Sequence, residues 1–304
     1  MTGAARRKAS APRARQPGLR SARRAGSDGT LRAVPASKAE YGRLLADLEA
    51  EQGALDERVA PLGDADMDLA TPAEGWAIRD QLSHLAFFDD VAALAVSNPP
   101  KFAKLAESAA AGTDPMDEHL RRGRAMRADE LVTWWRTARA ELLAVLGALE
   151  PEDRIAWFGP PMGALSFVSA RLMETWAHGV DVLDALRVPV VPTSRLRHVA
   201  HLGVRARPYS YAVRGLALPE VTVAVELEAP SGEKWVWDAG NAMVSTVRGE
   251  ALDFCLVVVQ RRNVADTGLV VEGDAAEQWM QIAQAFAGPP GPGRPPSATA
   301  STGA

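Results

Sequence analysis

The sequence predicts an α+β protein in which a bundle of four long helices precedes a small α+β domain. Apolar residues recur every three or four positions in four long segments before residue 190, as in amphipathic helices. Residues 221–229 instead alternate apolar and polar side chains, as a strand does. Apolar residues make up 47% of the 304 residues, enough for a sizeable core. We place the bundle at residues 37–190 and the α+β domain at 191–287.

The four segments with helical periodicity carry the predicted bundle. In chain order they begin near residue 37, cover 76–98, begin near residue 129 and cover 166–186. A shorter helix is expected over residues 102–110, after Pro99 and Pro100 have ended the second long helix. Metal sites in such bundles are commonly built from inward-facing side chains on facing helices.

The second half changes to a mixed periodicity, which predicts the small α+β domain. The expected elements are a helix at 194–211, strands at 221–229, 234–238 and 243–247, a helix at 250–260, a strand at 269–272 and a helix at 275–286. The turn sequence Pro230-Ser231-Gly232-Glu233 joins the first two strands, so these should form a hairpin.

Both ends of the chain have compositions typical of disorder. Residues 1–36 are rich in Ala, Ser, Pro, Gly and Arg, and the basic side chains among them far outnumber the acidic ones. We expect a disordered basic extension at 1–36 and a disordered Pro- and Gly-rich tail at 288–304. The formal net charge of the whole chain is -4, so the body without the extension is clearly acidic. An acidic body argues against nucleic-acid binding.

The cysteine count and the hydropathy of the sequence favour one cellular compartment. Cys255 is the only cysteine, which excludes an intramolecular disulfide and fits a reducing cytoplasm. Because it lies in an apolar run, we expect a buried structural thiol rather than a catalytic one. No apolar run reaches the roughly 18 residues of a membrane span. We therefore expect a cytoplasmic protein with no membrane partner, either a monomer or a homodimer.

Two separated segments carry candidate metal ligands. Glu174 and His178 are four residues apart, which places both side chains on one face of the fourth long helix. His84 lies on the second long helix, among apolar residues. A carboxylate and two imidazoles can hold one divalent ion and leave a coordination position open, as catalytic sites do. Asp181 is expected to lie behind these ligands and to orient an imidazole.

Simpler interpretations fit the same residues. Glu174 and His178 fit an ordinary i,i+4 pair on a helix surface, and His84 fits a hydrogen-bonded histidine of the core. A buried carboxylate without a cation is costly, however, and this cost favours the metal site. His119 lies in a polar segment and is expected to be exposed.

Two segments resemble a known family. Residues 71–89, TPAEGWAIRDQLSHLAFFD, resemble the second-helix region of DinB-like proteins, in particular the mycothiol-dependent maleylpyruvate isomerase family. Residues 174–182, ETWAHGVDV, resemble that family's second metal motif. The resemblance covers about residues 38–292 and implies a DinB-like bundle in which His84, Glu174 and His178 bind a divalent metal, most commonly Zn²⁺. Residues 261–291 resemble an actinobacterial subgroup of this superfamily without an established reaction.

The resemblance also implies a chemistry. Mycothiol would be the thiol cosubstrate, and a metal-bound thiol is held as the thiolate. The thiolate would add to a small electrophile and end as a thioether, or leave after a double bond has isomerised. A carboxylated electrophile would need an arginine. Family members carry a functional arginine in the C-terminal domain, and Arg248, Arg261 and Arg262 are the candidates here, although exposed arginines without this role fit equally.

Two other functions are compatible with the same ligands. One is a metal-dependent hydrolase, in which a carboxylate such as Asp181 acts as general base for a metal-activated water. The other is a non-catalytic protein that binds a small molecule or a metal on the same fold.

Overall fold

The computed structural model describes residues 37–111, 115–238 and 245–297, with the backbone alone at 115–117. Within these ranges the chain is an α+β protein with eleven α-helices and six strands, which confirms the predicted class. The basic extension predicted at 1–36 lies outside the described residues, as do the first two residues of the strand predicted at 243–247.

Four long helices form the bundle in the described part of the chain. They are α1 (Lys38–Val59), α3 (Ile78–Ser97), α6 (Ala128–Gly147) and α7 (Ala164–Leu186). Both α1 and α3 pack against α6 and against α7, so the four surround a common core. A capping box at Ser37 fixes the start of α1. The bundle therefore faces α3 towards α7, the two helices that carry the candidate ligands.

Three shorter helices complete the bundle part. They are α2 (Asp64–Met67), α4 (Pro99–Ala110) and α5 (Pro115–Ala125). Helix α4 begins three residues earlier than expected, because Pro99 and Pro100 occupy its first turn, where no intrahelical N–H is needed. Helices α2 and α5 were not expected from the sequence. Strands β1 (Arg154–Ile155) and β2 (Met162–Gly163) form a small hairpin before α7.

A mixed sheet forms the centre of the second half. Its strands are β3 (Val223–Glu228), β4 (Lys234–Trp237), β5 (Ser245–Glu250) and β6 (Val270–Glu272), in the order β4-β3-β5-β6. The predicted β3–β4 hairpin is present and antiparallel, and β6 is antiparallel to β5. Strand β3 pairs in parallel with β5, a long-range relationship that the sequence pattern does not reveal.

Four helices accompany the sheet, namely α8 (Leu196–Arg205), α9 (Arg207–Ala212), α10 (Ala251–Val258) and α11 (Asp274–Ile282). The helix predicted at 194–211 is thus two helices, with a proline in the first turn of the second. Helix α8 packs against both α7 and α10. Gly203 permits the close approach to α10, because a Cβ there would lie 2.7 Å from a methyl of Val258. We call the sheet β3–β6 with helices α8–α11 the sheet part. It is thereby joined to α7, the helix that carries two candidate ligands.

A large cluster of buried apolar side chains includes residues of both halves, such as Leu48 and Val168 of the bundle and Val225 and Phe254 of the sheet part. The domain boundary near residue 190 stays a prediction. None of the described helices has the length and apolar character needed to cross a membrane.

Residues 288–297 form no regular element, yet they are tied to the protein body. The Arg294 guanidinium pairs with Asp181 and Asp184 of α7. The backbone carbonyl of Arg294 accepts a hydrogen bond from the Asn263 side chain. Ser297 donates to Asp266. This part of the tail predicted as disordered is therefore held in place, because its polar groups find long-range partners. The rest of that tail, from residue 298, lies outside the described residues.

Candidate metal centre

The candidate ligands come together where α3 faces α7. His84, Glu174 and His178 each offer one ligand atom, and these three atoms lie within 4.8 Å of one another. Nε2 of His178 is 3.3 Å from a carboxylate oxygen of Glu174. Two donors bound to one tetrahedral zinc ion at its usual bond lengths lie about this far apart. The geometry of the Glu174–His178 pair therefore already suits a shared ion.

Hydrogen bonds behind His178 fix which ring nitrogen faces Glu174. The carbonyl of Trp76 can only accept, so the Thr71 hydroxyl donates to it across 2.9 Å. Thr71 Oγ1 then accepts from the amide nitrogen of Gln81 at 2.9 Å, which turns Gln81 Oε1 towards Nδ1 of His178, 2.5 Å away. Nδ1 must carry the proton, and the lone pair of Nε2 is left for a metal.

Aromatic rings enclose His84. Its ring centroid lies 4.6 Å from that of Phe88, 5.4 Å from that of Trp76 and 4.5 Å from that of His178. Its Nδ1 is buried and has no hydrogen-bond partner among the described residues. Burial foremost, and then the neighbouring His178 imidazole, hold the pKa of His84 well below its usual value. A neutral imidazole with an unpaired buried nitrogen suits a metal ligand better than a satisfied core histidine.

The electrostatic surroundings keep Glu174 ionised. Burial raises the pKa of Glu174, but the neighbouring His178 imidazole and the positive charges of Arg171 and Arg261 outweigh this effect, so the pKa lies below its usual value. Its side chain is 24% exposed, whereas that of His178 is 10% exposed. The carboxylate is therefore available as an anionic ligand at neutral pH.

The role predicted for Asp181 falls to another residue. Gln81, not Asp181, is the hydrogen-bond partner of Nδ1 of His178. The Asp181 side chain is 1% exposed and accepts from Arg261 and Arg294 instead. Asp181 thus ties the sheet part and the C-terminal segment to α7, one turn beyond His178.

The three candidate arginines occupy different places. Arg261 pairs with Asp181 at 2.7 Å, and its charge acts on Glu174, so it lies beside the centre. Arg262 pairs with Asp184, one turn further along α7. The Arg248 guanidinium pairs with Glu226 and Glu272 on the sheet, and the structure does not bring it to the ligands.

The expectation that His119 is exposed is wrong. His119 is only 2% exposed, and its ring stacks on that of Phe87 with a centroid distance of 4.7 Å. The ring also lies 5.5 Å from that of His84. The polar sequence around it misleads because α5 packs against α3 with His119 and Gly123 buried at the contact, while most of the charged residues of α5 stay exposed.

A buried ion pair links the two helices that carry the ligands. Arg171 of α7 donates to Asp89 of α3 at 2.8 Å, and neither side chain is more than 6% exposed. Sequence reasoning missed this pair, although Arg171 lies three residues before Glu174 on the same face of α7. It missed Gln81 as well, although the spacing of three residues from His84 was a signal.

The chain is similar to known proteins over most of its length. Residues 48–183 match the family described as mycothiol maleylpyruvate isomerase N-terminal domain. Two Mycobacterium tuberculosis proteins, Uncharacterized protein MT0041 of strain CDC 1551 / Oshkosh and Uncharacterized protein Rv0036c of strain ATCC 25618 / H37Rv, are each 46% identical to the chain over 257 residues. The match covers 84% of this chain and 100% of each relative.

Two solved structures are also similar. One is the crystal structure of the mycothiol-dependent maleylpyruvate isomerase, with 16% identity, a TM-score of 0.49, and coverage of 76% of this chain and 92% of that one. The other is a histidine-to-alanine mutant of that enzyme, with 16% identity, a TM-score of 0.48, and coverage of 73% and 89%.

Proposed function

This chain belongs to the mycothiol-dependent maleylpyruvate isomerase family, and from this premise we propose that it is a metal-dependent thiol transferase or isomerase. His84, Glu174 and His178 hold a divalent metal, and a low-molecular-weight thiol such as mycothiol supplies the nucleophile. The observation that supports this most is the convergence of the three ligand atoms within 4.8 Å.

The donor set fits zinc. Two imidazole nitrogens and one carboxylate oxygen are common zinc ligands, and three protein donors leave one position for a substrate. His84 has a buried Nδ1 without a hydrogen-bond partner among the described residues, and the tautomer of His178 leaves the lone pair of its Nε2 available. A bound divalent ion would supply the Lewis acid that keeps a coordinated thiol in the thiolate form at neutral pH.

The chain's own residues prepare the site. Gln81 and Thr71 hold the tautomer of His178. Trp76 and Phe88 shield the ligand imidazoles from water, which strengthens the electrostatic interactions within the site. Arg261, which pairs with Asp181, adds a positive charge near Glu174 and helps to keep that ligand ionised.

The reaction is addition of the thiol sulfur to an electrophilic carbon. In a transferase a new C–S bond remains in the product, and in an isomerase that bond breaks again after rotation about the former double bond. Buried Cys255 takes no part, because its thiol donates to the carbonyl of Leu196, and burial raises its pKa well above the usual value.

The hydrolase alternative has less support. It needs a free carboxylate as general base, and the carboxylate of Asp181 is engaged by Arg261 and Arg294. Glu174 belongs to the ligand set itself. A non-catalytic binding protein would share the metal but show no turnover with any electrophile.

Thiol binding to the metal tests the proposal. We expect the cobalt-substituted protein to bind mycothiol saturably, with a sulfur-to-cobalt charge-transfer band, and His178→Ala to lose the cobalt and the band together. His198→Ala is the matched control, because His198 pairs with Asp47 of α1 away from the ligands. Cobalt binding without any spectral response to mycothiol contradicts the proposal, and turnover of esters or amides in the same protein would favour the hydrolase.

A further inference from the structure

A row of aromatic side chains leads from the candidate metal ligands to the protein surface. The ring of Phe88 lies 4.6 Å from that of His84, and the ring of Phe158 lies 6.3 Å from that of Phe88. Trp157 is also in contact with Phe88, with 6.4 Å between centroids. We call Phe88, Trp157 and Phe158 the aromatic wall. It begins at a ligand and ends in solvent, because Phe158 is 42% exposed.

The base of the aromatic wall is rigid. Trp157 stacks on buried Phe102 with a centroid distance of 5.7 Å and an interplanar angle of 3°. Its other edge meets Phe167 of α7 at 5.1 Å. Phe158 packs edge-on against Trp157 at 5.0 Å. The exposed ring is thus held by its neighbours in a fixed position, as expected of a preformed apolar binding surface.

Cationic groups near the centre are already paired. The Arg171 guanidinium binds Asp89, and that of Arg261 binds Asp181, in each case with a buried carboxylate. Breaking such a buried pair to hold a substrate carboxylate leaves an uncompensated charge, which is costly. The aromatic wall beside His84 is therefore an apolar surface, and neither Arg171 nor Arg261 is free to bind a substrate carboxylate.

We propose that the electrophile has an uncharged aromatic or similarly apolar body that packs on the aromatic wall. This inference rests on the proposed function and narrows its substrate class. With the body against Phe88 and Phe158, the reacting carbon lies next to the ligand cluster, where the thiol sulfur binds. Carboxylate-rich electrophiles are disfavoured, because the aromatic wall offers them no hydrogen-bond donor to replace water.

A matched pair of electrophiles tests the charge preference. The zinc-loaded full chain is given mycothiol with either chlorodinitrobenzene or its ring-carboxylated analogue. In both reactions a C–S bond forms at the ring carbon, the C–Cl bond breaks, chloride leaves, and the thiol proton passes to solvent. Each rate is divided by the uncatalysed rate with mycothiol. We expect the acceleration to be about tenfold or more greater for the uncharged compound.

The aromatic wall itself is tested by Phe158→Ala, which removes an exposed ring and spares the core. We expect kcat/KM for chlorodinitrobenzene to fall about tenfold, while the affinity for mycothiol stays unchanged. Leu218→Ala is the control, since Leu218 is also 42% exposed but lies in the sheet part. Quenching of tryptophan fluorescence by the dinitrophenyl thioether of mycothiol gives a readout without turnover, and Phe158→Ala should weaken this binding as well.

The possible results distinguish a failure of the inference about the electrophile from a failure of the proposed function. Mycothiol binding with equal or greater acceleration of the carboxylated compound overturns the inference and leaves the proposed function standing. The same holds if Phe158→Ala changes neither turnover nor thioether binding. If mycothiol does not bind to the metal-loaded protein, the proposed function fails and the inference fails with it.

Discussion

Gln81 Oε1 lies 2.5 Å from Nδ1 of His178, so α3 supplies both a candidate ligand and the group that orients a ligand on α7. Both roles depend on the packing of one helix face against the other. Gln81 is itself held by Thr71, which bonds to the carbonyl of Trp76. The candidate metal centre is therefore built across the interface of the two helices.

Replacing Gln81 by leucine should weaken zinc binding about 10- to 100-fold, the usual effect of removing a group that orients a metal-bound histidine. The Nδ1–H of His178 would lose its acceptor, and the tautomer would no longer be fixed. Competition with a chromophoric zinc chelator measures the affinity.

The control is Gln52→Leu, which removes another buried amide, from α1. Its side-chain nitrogen and oxygen have no hydrogen-bond partner among the described residues, so zinc affinity should stay the same. Equal zinc affinity of the Gln81→Leu protein and the unaltered protein would show that Gln81 does not orient the ligand.

Removing the charge of Arg171 should destabilise the fold by about 3–5 kcal/mol, since it leaves Asp89 buried without its cation. Burial raises the pKa of Asp89 even with Arg171 present. Arg171→Met combined with Asp89→Asn should therefore cost less than Arg171→Met alone. Urea unfolding of both variants measures the free energies.

A surface ion pair provides the comparison. Lys38 pairs with Glu150, and both side chains are more than half exposed, so Lys38→Met should leave the unfolding midpoint unchanged. If the double variant at Arg171 and Asp89 is less stable than Arg171→Met, the stability loss in Arg171→Met does not come from an uncompensated charge on buried Asp89.

Arg294→Gln should lower the free energy of unfolding by about 1–2 kcal/mol at neutral pH, because Arg294 binds two carboxylates while remaining partly exposed. Burial raises the pKa of Asp184, but hydrogen bonds from Arg262 and Arg294 outweigh it, so the pKa lies below its usual value. For an acid with a lowered pKa, the stabilisation is complete above the usual value of 3.8 and is lost as the pH falls further.

The stability difference between the Arg294→Gln protein and the unaltered protein should therefore shrink as the pH falls below about 3.8. Urea unfolding at a series of pH values checks this trend. A difference that grows towards low pH would contradict the assignment of Arg294 to these carboxylates.

Gly123→Ala should destabilise the protein by about 1–3 kcal/mol, the range for overpacking a tight contact. A Cβ at this position of α5 would lie 2.4 Å from Cβ of Ser83, the residue before His84. Adding Ser83→Gly removes the opposing atom and should restore part of the loss. Thermal unfolding measures all variants.

Gly42→Ala in α1 is the matched control. No described atom of another element lies within 4 Å of a Cβ there, so the substitution should stabilise the protein by up to about 1 kcal/mol. If the double variant Gly123→Ala/Ser83→Gly is no more stable than Gly123→Ala, the clash with Ser83 is not the cause.

The sequence by itself determined the features that depend on local spacing. Helical periodicity placed the four long helices, and the spacing of four residues put Glu174 and His178 on one face of α7 before any fold was known. The β3–β4 hairpin followed from its turn residues. Such features depend on residues close together in the chain, and a single sequence displays them directly.

Only the tertiary structure decided the partners of these groups. In the fold, His178 forms its hydrogen bond with Gln81 rather than with Asp181. Asp181 instead pairs with two arginines. The ring of His119 is buried against that of Phe87. Each of these contacts joins segments far apart in the chain, and many pairings of such segments satisfy the same local patterns. Packing selects one pairing, because most buried polar groups must find partners in the same arrangement that buries the apolar side chains.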